Sequence, residues 1–430
     1  MQLFAGGFTK IFHFHLKKCS GTSLNNWLNW QQPDDRLWDE AEVLKLLRRV
    51  ELFNQPIKSA ALTAFSTSYA FGTHLPIRAF AADDVFCCTV LRDPRQRILS
   101  QIADWRREAR VTSHYIGSPE DDALRDSVQL SLTSFLKKHS RSGVRFLLDN
   151  YMTRALAAGY TAEIVEEMED VASLLPVALR ALERRYHVVG LSSRLSETKA
   201  AIASSLGLVH DVGQEVALNV TESSRLFAYE VDEDANRLLE RFTAHDQVLY
   251  NRANELFEER HSITAARYNE TEFETYHSPL ATKRLRPFAR DGFSVVSVKD
   301  TILGSGHWGR DAAGTAQCCV WTGPHTRTVL YLPCPADVDL SIRVWIRGYA
   351  AAHLRRQLRF EIDDVARTHS FQHAEGWLET ATIQARSKRA FLKIAMLVDE
   401  TVADTAIGED RRRGVAFDSY GWAINSSSLL

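Results

Sequence analysis

The sequence has no apolar run of the roughly 18 residues that a membrane-spanning helix requires. It also lacks an excess of charge of one sign, because 52 basic and 54 acidic residues give a formal net charge of −2. No global field therefore attracts nucleic acid or an anionic membrane, and any anion site must be local. The first residues lack the charged segment and long apolar core of a signal peptide. We expect a cytoplasmic protein with no membrane span and no nucleic-acid partner.

Cysteine is scarce, and none of the 6 cysteines has C-x-x-C spacing. This pattern argues against a structural zinc site and against a disulfide framework, so we expect no metal. Cys87 and Cys88 lie in an apolar run and are expected in the core. Cys19 follows a lysine in a polar loop and is a candidate reactive thiol.

The stretch from Phe12 to Leu24 changes its hydrophobic period within a few residues. Phe12, Phe14 and Leu16 alternate with polar residues as in a strand, and Leu24, Trp27 and Leu28 then follow helical spacing. The loop between them, residues 17–23, is short, polar and cationic. A strand–loop–helix turn of this kind directs backbone N–H groups and a positive helix end at one point, which suits a phosphate.

A second strand–loop–helix segment begins at Val85. The run Val85–Leu91 is apolar throughout, as in a strand buried on both faces of a parallel sheet. Asp93 is a favourable N-cap and Pro94 a favourable first helical residue. Arg92 is therefore predicted at the carboxyl end of a strand, with Ser100 about two turns into the following helix.

The two segments together resemble the carbohydrate sulfotransferase family that includes the heparan 2-O-sulfotransferases. Residues 15–23 are similar to its H-x-P-K-x-G-G-T-S loop, with Lys17, Cys19 and Ser20 as departures from that pattern. Residues 91–100 match its L-R-D-P-x-x-R-x-x-S motif at every defining position. The resemblance covers roughly residues 9–260. It implies an α/β fold with a P-loop-like domain, in which helices flank a central parallel sheet.

The resemblance also implies a cofactor, an acceptor and a set of site residues. The donor would be 3′-phosphoadenosine 5′-phosphosulfate (PAPS), the product 3′-phosphoadenosine 5′-phosphate (PAP), and the acceptor a hydroxyl of a glycan. The loop residues expected on the 5′-phosphosulfate are Lys18, Cys19, Ser20, Gly21, Thr22 and Ser23. Arg92 and Ser100 are expected on the 3′-phosphate, and Arg97 either joins them or pairs with Asp93.

For catalysis, the resemblance implies that Lys18 stabilises charge on the bridging oxygen. His74, in a Gly-x-His segment before the second motif, would take the proton from the acceptor. His13 and His15 compete with His74 for that role.

Three further segments extend the resemblance. Residues 150–156 resemble an N-x-x-T-R-x-L segment, in which a helix would bring Asn150 and Arg154 onto one face. Residues 218–225 either form the loop that closes over the nucleotide or are a plain loop. The residues after Ser100 either face an acidic acceptor or form a solvated helix face; they are Asp104, Trp105, Arg106, Arg107 and Arg110.

The C-terminal part has strand periodicity. Val338, Leu340, Ile342, Val344 and Ile346 alternate without a break, and similar runs follow. We predict a sulfotransferase domain at 1–275, a linker at 276–291 and an all-β sandwich at 292–430. Trp308 and the segments 320–324 and 411–417 resemble a β-sandwich module of some bacterial surface-glycan enzymes. Because the animal members of the sulfotransferase family are membrane proteins, the expected lack of a membrane anchor indicates a bacterial protein. The tryptophans of the sandwich either stack on sugars or pack in the core.

Two other functions stay open. One is an ATP-dependent kinase, although a Walker loop has its lysine after the last glycine and Lys18 precedes Gly21. The other is an inactive glycan-binding or scaffold protein. The sequence gives no prediction of the acceptor sugar or of the oligomeric state.

Overall fold

The computed structural model describes residues 4–31, 69–72, 83–111, 119–161, 170–210, 231–312, 315–403 and 412–425. The N-terminal part contains a four-stranded sheet with the order β2-β1-β3-β4. Its strands are β1 Lys10–Phe14, β2 Tyr69–Gly72, β3 Val85–Leu91 and β4 Val188–Leu191. Every neighbouring pair is parallel, so all carboxyl ends lie at one edge of the sheet. The described strands agree with the predicted parallel sheet.

Burial in β1 and β3 follows from their composition. All 7 residues of β3 are buried, as its continuous apolar run predicts for a strand covered on both faces. β1 is also buried throughout, including the polar His13. The alternation of apolar and polar residues in this strand therefore did not mark a solvent-exposed face.

Helices cover this sheet and account for most of the described residues between β3 and β4. The helices of the N-terminal part are α1 Gly21–Trp30, α2 Pro94–Val111, α3 Pro119–Gln129, α4 Leu132–His139, α5 Arg145–Leu148, α6 Tyr151–Thr161, α7 Val171–Arg185, α8 Leu195–Leu206, α9 Glu233–Arg260, α10 Ser262–Arg267, α11 Glu270–Glu272 and α12 Ser278–Thr282. One short helix, α13 Leu354–Gln357, lies among the strands of the C-terminal part. Asp232 caps α9 by accepting from the Ala235 N–H at 2.7 Å. Among the described residues, no helix is both long and apolar enough to cross a membrane.

The C-terminal part forms two antiparallel sheets of five and eight strands, and its two remaining strands pair in a small antiparallel sheet of their own. The five-stranded sheet has the order β13-β12-β16-β10-β7, and β14, β15, β11, β19, β6 and β5 follow one another in the other sheet, joined by β8 and β9. The strands are β5 Phe288–Arg290, β6 Phe293–Ser297, β7 Gly304–Ser305, β8 His307–Asp311, β9 Cys319–Thr322, β10 Arg327–Pro333, β11 Asp339–Tyr349, β12 Arg359–Ile362, β13 Val365–Arg367, β14 His369–Gln372, β15 Glu379–Arg386, β16 Phe391–Leu397, β17 Val402–Ala403, β18 Arg412–Arg413 and β19 Val415–Ile424. The predicted alternation appears directly in β11, whose Leu340, Ile342, Val344 and Ile346 are fully buried.

The two parts pack closely against each other. Tyr331 on β10 contacts Phe273, with ring centroids 5.0 Å apart, and its hydroxyl donates to Glu270 at 3.0 Å. One cluster of buried apolar residues runs through both parts. The segment predicted as a linker contains α12 and β5, which pairs with β6. The domain division itself stays a prediction.

Candidate functional site

The loop after β1 has a conformation that few side chains tolerate. Lys18 and Ser20 both have positive φ, at 64° and 63°, and the Leu24 N–H donates to the Ser20 carbonyl at 3.2 Å, which starts α1. The first N–H groups of a helix have no partner inside it. Because α1 begins at Gly21, the amides of Gly21, Thr22 and Ser23 belong to this unpaired first turn. The turn therefore presents both a helix dipole and backbone donors to an anion.

Gly21 is required by a close contact with His15. A Cβ atom at Gly21 would lie 1.8 Å from Cδ2 of His15, which no side chain allows. Asn25 holds that imidazole from α1, with its Nδ2 3.3 Å from His15 Nδ1, and its Oδ1 contacts Nδ1 of His13. The two imidazoles stack with centroids 5.7 Å apart. The histidines of β1 and the glycine of the loop therefore form one packed unit.

An open cavity of about 360 Å³ lies beside this turn. Its lining residues are His15, Lys17, Lys18, Ser20, Gly21, Thr22, Ser23, Arg92, Ser100, Gln101, Asp104, Trp105 and Glu108. The structure thus brings together seven residues predicted for the cofactor site: Lys18, Ser20, Gly21, Thr22, Ser23, Arg92 and Ser100. They come from two separate segments of the chain, and they meet because β1 and β3 are parallel neighbours.

Arg92 and Ser100 reach the cavity from the second segment. Asp93 caps α2 as predicted, accepting from the Gln96 N–H at 2.8 Å. Arg92 precedes this cap, and its Nη1 donates to the Lys18 carbonyl at 3.2 Å. The guanidinium therefore ties the loop at residues 17–23 to the end of β3 and leaves further N–H groups at the cavity.

Asp104 is an acidic residue at the site that the motifs do not explain. Its Oδ1 lies 3.0 Å from Nζ of Lys18, and both side chains are about four-fifths buried. Asp104 also pairs with Arg107. Asp104 and Glu108 lie four residues apart on α2, so one face of that helix lines the cavity with carboxylates.

The basic and aromatic patch expected after Ser100 does not form as one surface. Trp105 is buried against Phe135, with ring centroids 5.9 Å apart. Arg106 donates through Nε to the Ser127 carbonyl at 2.5 Å. The side chain of Arg110 lies outside the described residues. The described arginines of this patch therefore serve helix packing and ion pairs.

The prediction that Arg97 joins the 3′-phosphate group or pairs with Asp93 was wrong. Arg97 is fully buried, donates to the Leu147 carbonyl, and lies 4.8 Å from the centroid of the Tyr151 ring. Burial lowers the pKa of its guanidinium. The Tyr151 hydroxyl in turn accepts from the Lys17 N–H at 3.1 Å. Arg97 therefore supports the loop at residues 17–23 through Tyr151, from the side away from the cavity.

The Cys19 side chain is neither reactive nor part of the cavity wall. It is 1% exposed, and its Sγ lies 3.9 Å from the sulfur of Met152. Burial raises the pKa of the thiol to about 12, so the thiolate is absent at neutral pH. Only the backbone of Cys19 belongs to the loop.

Asn150 and Arg154 do not share a helix face, contrary to prediction. Asn150 has a φ of 49° and precedes α6, and its Oδ1 accepts from the His245 N–H at 2.8 Å. Arg154 pairs with Asp149 at 2.9 Å. Neither residue lines the cavity beside α1. Instead Asn150 fastens the start of α6 to α9, and Arg154 holds Asp149 just before α6.

Ser192, which sequence reasoning missed, joins the loop from a third strand. It follows β4, and its hydroxyl hydrogen-bonds that of Ser20. Its signal in the sequence was only its position after a buried strand.

His74 and the segment 218–225 lie outside the described residues. Among described residues, no group of three His, Cys, Asp or Glu side chains is arranged to hold a metal.

His13 and His15 differ in their access to the cavity. His13 is fully buried, and burial together with the neighbouring His15 lowers its pKa to about 3, so it is neutral and enclosed. His15 lines the cavity. Of the two competitors for the role of base, only His15 is in contact with the site.

Comparisons with known proteins give little. No sequence model of a known protein family matches the chain, and no curated protein matches it. Among solved structures, the chain is similar to one described as a sulfotransferase from Alicyclobacillus acidocaldarius. Identity is 15%, the overlap covers 60% of this chain and 98% of the other, and the TM-score is 0.30. A TM-score of 0.30 does not establish a common fold, and the function proposed below depends on the residues of this chain alone.

Proposed function

We propose that the chain is a sulfotransferase, and that it moves a sulfuryl group from PAPS to a hydroxyl of a glycan. The observation that carries the proposal is the meeting of Lys18 and the first turn of α1 with Arg92 and Ser100 around one cavity. A donor with a phosphosulfate at one end and a 3′-phosphate at the other requires two anion sites. The first turn of α1 suits one of them, and the fork of Arg92 with the hydroxyl of Ser100 suits the other.

In the proposed reaction the acceptor oxygen attacks sulfur while the bond from sulfur to the bridging oxygen breaks. The electron pair of that bond goes to the leaving 5′-phosphate of PAP, where Lys18 stabilises the developing charge. The acceptor hydroxyl gives its proton to a base. Catalysis then consists of positioning and electrostatic stabilisation, as in phosphoryl transfer.

We keep His74 as the proposed base, with His15 as its competitor. His74 follows β2 by two residues in the sequence, and β2 is parallel to β1. The carboxyl end of β2 therefore lies at the same sheet edge as the phosphate loop, which supports the assignment. The proposal also keeps the domain division at 276–291 and a cytoplasmic location.

Thermal unfolding of the purified protein with PAP, with ATP and AMP as controls, tests the donor class. A nucleotide at a concentration of about a hundred times its dissociation constant adds roughly 2.7 kcal/mol to the free energy of unfolding, which raises the melting temperature. A shift with PAP only supports the proposal. A shift with ATP alone favours the kinase, and no shift with any nucleotide favours the inactive glycan-binding protein.

Transfer of labelled sulfate from PAPS to a set of bacterial glycans then tests the reaction. Lys18→Ala and His74→Ala should each lower turnover by about 10²–10⁴-fold. Lys137→Ala, which removes an exposed lysine paired with Asp234, is the matched control. Wild-type turnover in either site variant contradicts the role given to that residue.

A further inference from the structure

The outer face of the eight-stranded sheet has a small cluster of apolar residues separate from the main core. Phe293, Val295 and Trp345 form this cluster, and Trp377 packs against it. Trp345 alternates along β11 with the fully buried Val344 and Ile346, so its side chain lies on the opposite face of the sheet from the core. The N-terminal part contacts the five-stranded sheet, where Lys393 of β16 lies 3.4 Å from Glu274, and it contacts the eight-stranded sheet at β8, where Trp30 packs on His307.

Arginines lie over the rings of this cluster in a continuous series. Arg343 is 4.1 Å from the Phe293 centroid and 5.7 Å from that of Trp345. Arg290 is 5.5 Å from Trp345 and 4.8 Å from Trp377. Arg347 is 5.2 Å from Trp377. We call these three arginines and three rings the arginine–aromatic array.

Two guanidinium groups of the array have no counter-ion within the described part of the chain. Arg347 pairs with Asp418 at 2.6 Å, but neither Arg290 nor Arg343 is in an ion pair there. Arg290 donates to the Ser419 hydroxyl at 3.0 Å. The Nε of Arg343 is buried without a hydrogen-bond partner among the described residues.

A second polar group next to Arg343 also lacks a partner. Thr382 lies directly opposite Arg343 across β11 and β15, and its hydroxyl is buried without a partner in the described chain. Further along the same two strands, Gln384 donates to Ser341 at 3.0 Å and is itself exposed. Cations therefore stand beside hydroxyl and amide groups on one face of the sheet, part of it buried and part exposed at Gln384.

We propose that the arginine–aromatic array binds an acidic polysaccharide through its carboxylate or sulfate groups. Stacking on rings fixes the planes of the guanidinium groups, so little conformational entropy is lost when their N–H edges meet an anion. The neighbouring hydroxyl and amide groups suit the hydroxyls between the charges of a sugar chain. The overall charge of −2 disfavours a nucleic acid, whose charge is continuous. This inference does not depend on the proposed reaction.

Calorimetry with the intact chain tests the array against polygalacturonate, dextran sulfate, neutral dextran and single-stranded DNA. We expect binding of at least one of the two acidic glycans and none of neutral dextran. Arg290→Gln/Arg343→Gln should weaken that binding by at least about tenfold, because hydrogen bonds to charged groups are lost. The matched control is Arg327→Gln/Arg359→Gln, which removes two ion-paired arginines of the five-stranded sheet and should leave binding unchanged.

The double variant Arg290→Lys/Arg343→Lys keeps the charge and removes the planar fork. It should still bind more weakly than wild type, and it serves if the Gln variant fails to fold. Equal affinity of wild type, Arg290→Gln/Arg343→Gln and Arg290→Lys/Arg343→Lys for the acidic glycan overturns the proposal. Neutral dextran that binds as tightly as the acidic glycans also overturns it. Tighter binding of single-stranded DNA than of either acidic glycan would overturn the proposal and identify a nucleic acid as the ligand. PAP binding measured in the same variants should be unchanged, which separates this surface from the cavity.

Discussion

Gly21→Ala is the substitution whose effect follows most directly from the geometry of the loop. The added methyl would lie 1.8 Å from Cδ2 of His15, 2.2 Å from its Nε2 and 2.6 Å from its Cγ. Gly21 is helical and has no positive φ, so its backbone tolerates alanine and the clash is purely steric. Relief requires that the imidazole leave its contact with Asn25. Overpacking of this kind costs about 1–3 kcal/mol.

A double-mutant cycle with His15→Ala separates this clash from other effects. Thermal unfolding should show Gly21→Ala about 1–3 °C below wild type, since the entropy of unfolding of a chain of 430 residues makes 1 kcal/mol correspond to about 1 °C. In the His15→Ala background the same substitution should cost little, with a coupling of about 1 kcal/mol or more. The same loss of stability in both backgrounds would refute the steric argument. PAP affinity should fall in Gly21→Ala and recover in part in the double variant.

Three further predictions concern charge at and around the site. Asp104→Asn should strengthen PAP binding about fivefold in calorimetry, because its carboxylate holds Lys18 and repels an anion in the cavity. Arg92→Gln should weaken PAP binding by about 10–100-fold in the same assay. Urea unfolding midpoints should fall between pH 7 and pH 5, because burial lowers the pKa of three histidines: His13 and His210 to about 3 and His307 to about 4.

The sign of the pH dependence follows from proton binding in the two states. Below the ordinary histidine pKa of 6.5 the unfolded chain takes up protons that the folded chain excludes, so acid favours unfolding. Each group contributes at most about 1.4 kcal/mol per pH unit, until its folded pKa is reached. His307→Gln should therefore flatten the profile, whereas the exposed His353→Gln should not. Parallel profiles for His307→Gln and wild type would contradict this account.

Matched variants decide the two binding predictions. Asp122→Asn removes an exposed carboxylate paired with Arg125 and should leave PAP affinity unchanged. Arg95→Gln removes an exposed arginine that contacts Asn236 and should behave likewise. Weaker PAP binding in Asp104→Asn would mean that the carboxylate helps to position Lys18 for the donor. An equal loss of PAP affinity in Arg92→Gln and Arg95→Gln would mean that Arg92 acts only through its contribution to the net charge.

The sequence predicted those parts of the site that depend on local chemistry. The cap at Asp93 and the start of α2 at Pro94 follow from side-chain preferences within a few residues. The buried run of β3 follows from its composition. The loop residues and Ser100 then meet because strand order and helix length leave few alternatives.

The roles of Arg97 and Asn150 depend on partners far along the chain, and local patterns did not reveal them. Arg92 and Arg97 carry the same guanidinium, but the carbonyl of Leu147 and the ring of Tyr151 bury only the second. Asn150 takes a left-handed backbone conformation because α9 offers it two N–H donors. The motif offers both arginines as contacts of the 3′-phosphate, whereas packing decides which arginine remains at the cavity.

Helix α1 connects the cavity to the C-terminal antiparallel sheets. Its first turn lies at the cavity, and its last carbonyls accept from the other part of the chain: Arg310 donates to the Asn29 carbonyl at 2.7 Å, and the Ile302 N–H donates to that of Trp30 at 2.9 Å. A cation at this end also complements the helix dipole. Trp30 packs on His307, with ring centroids 4.3 Å apart. A helix is stiff along its axis, so the position of the loop at residues 17–23 depends on where the C-terminal sheets hold the opposite end. The C-terminal strands therefore belong to the architecture of the cavity, even though none of their described residues lines it.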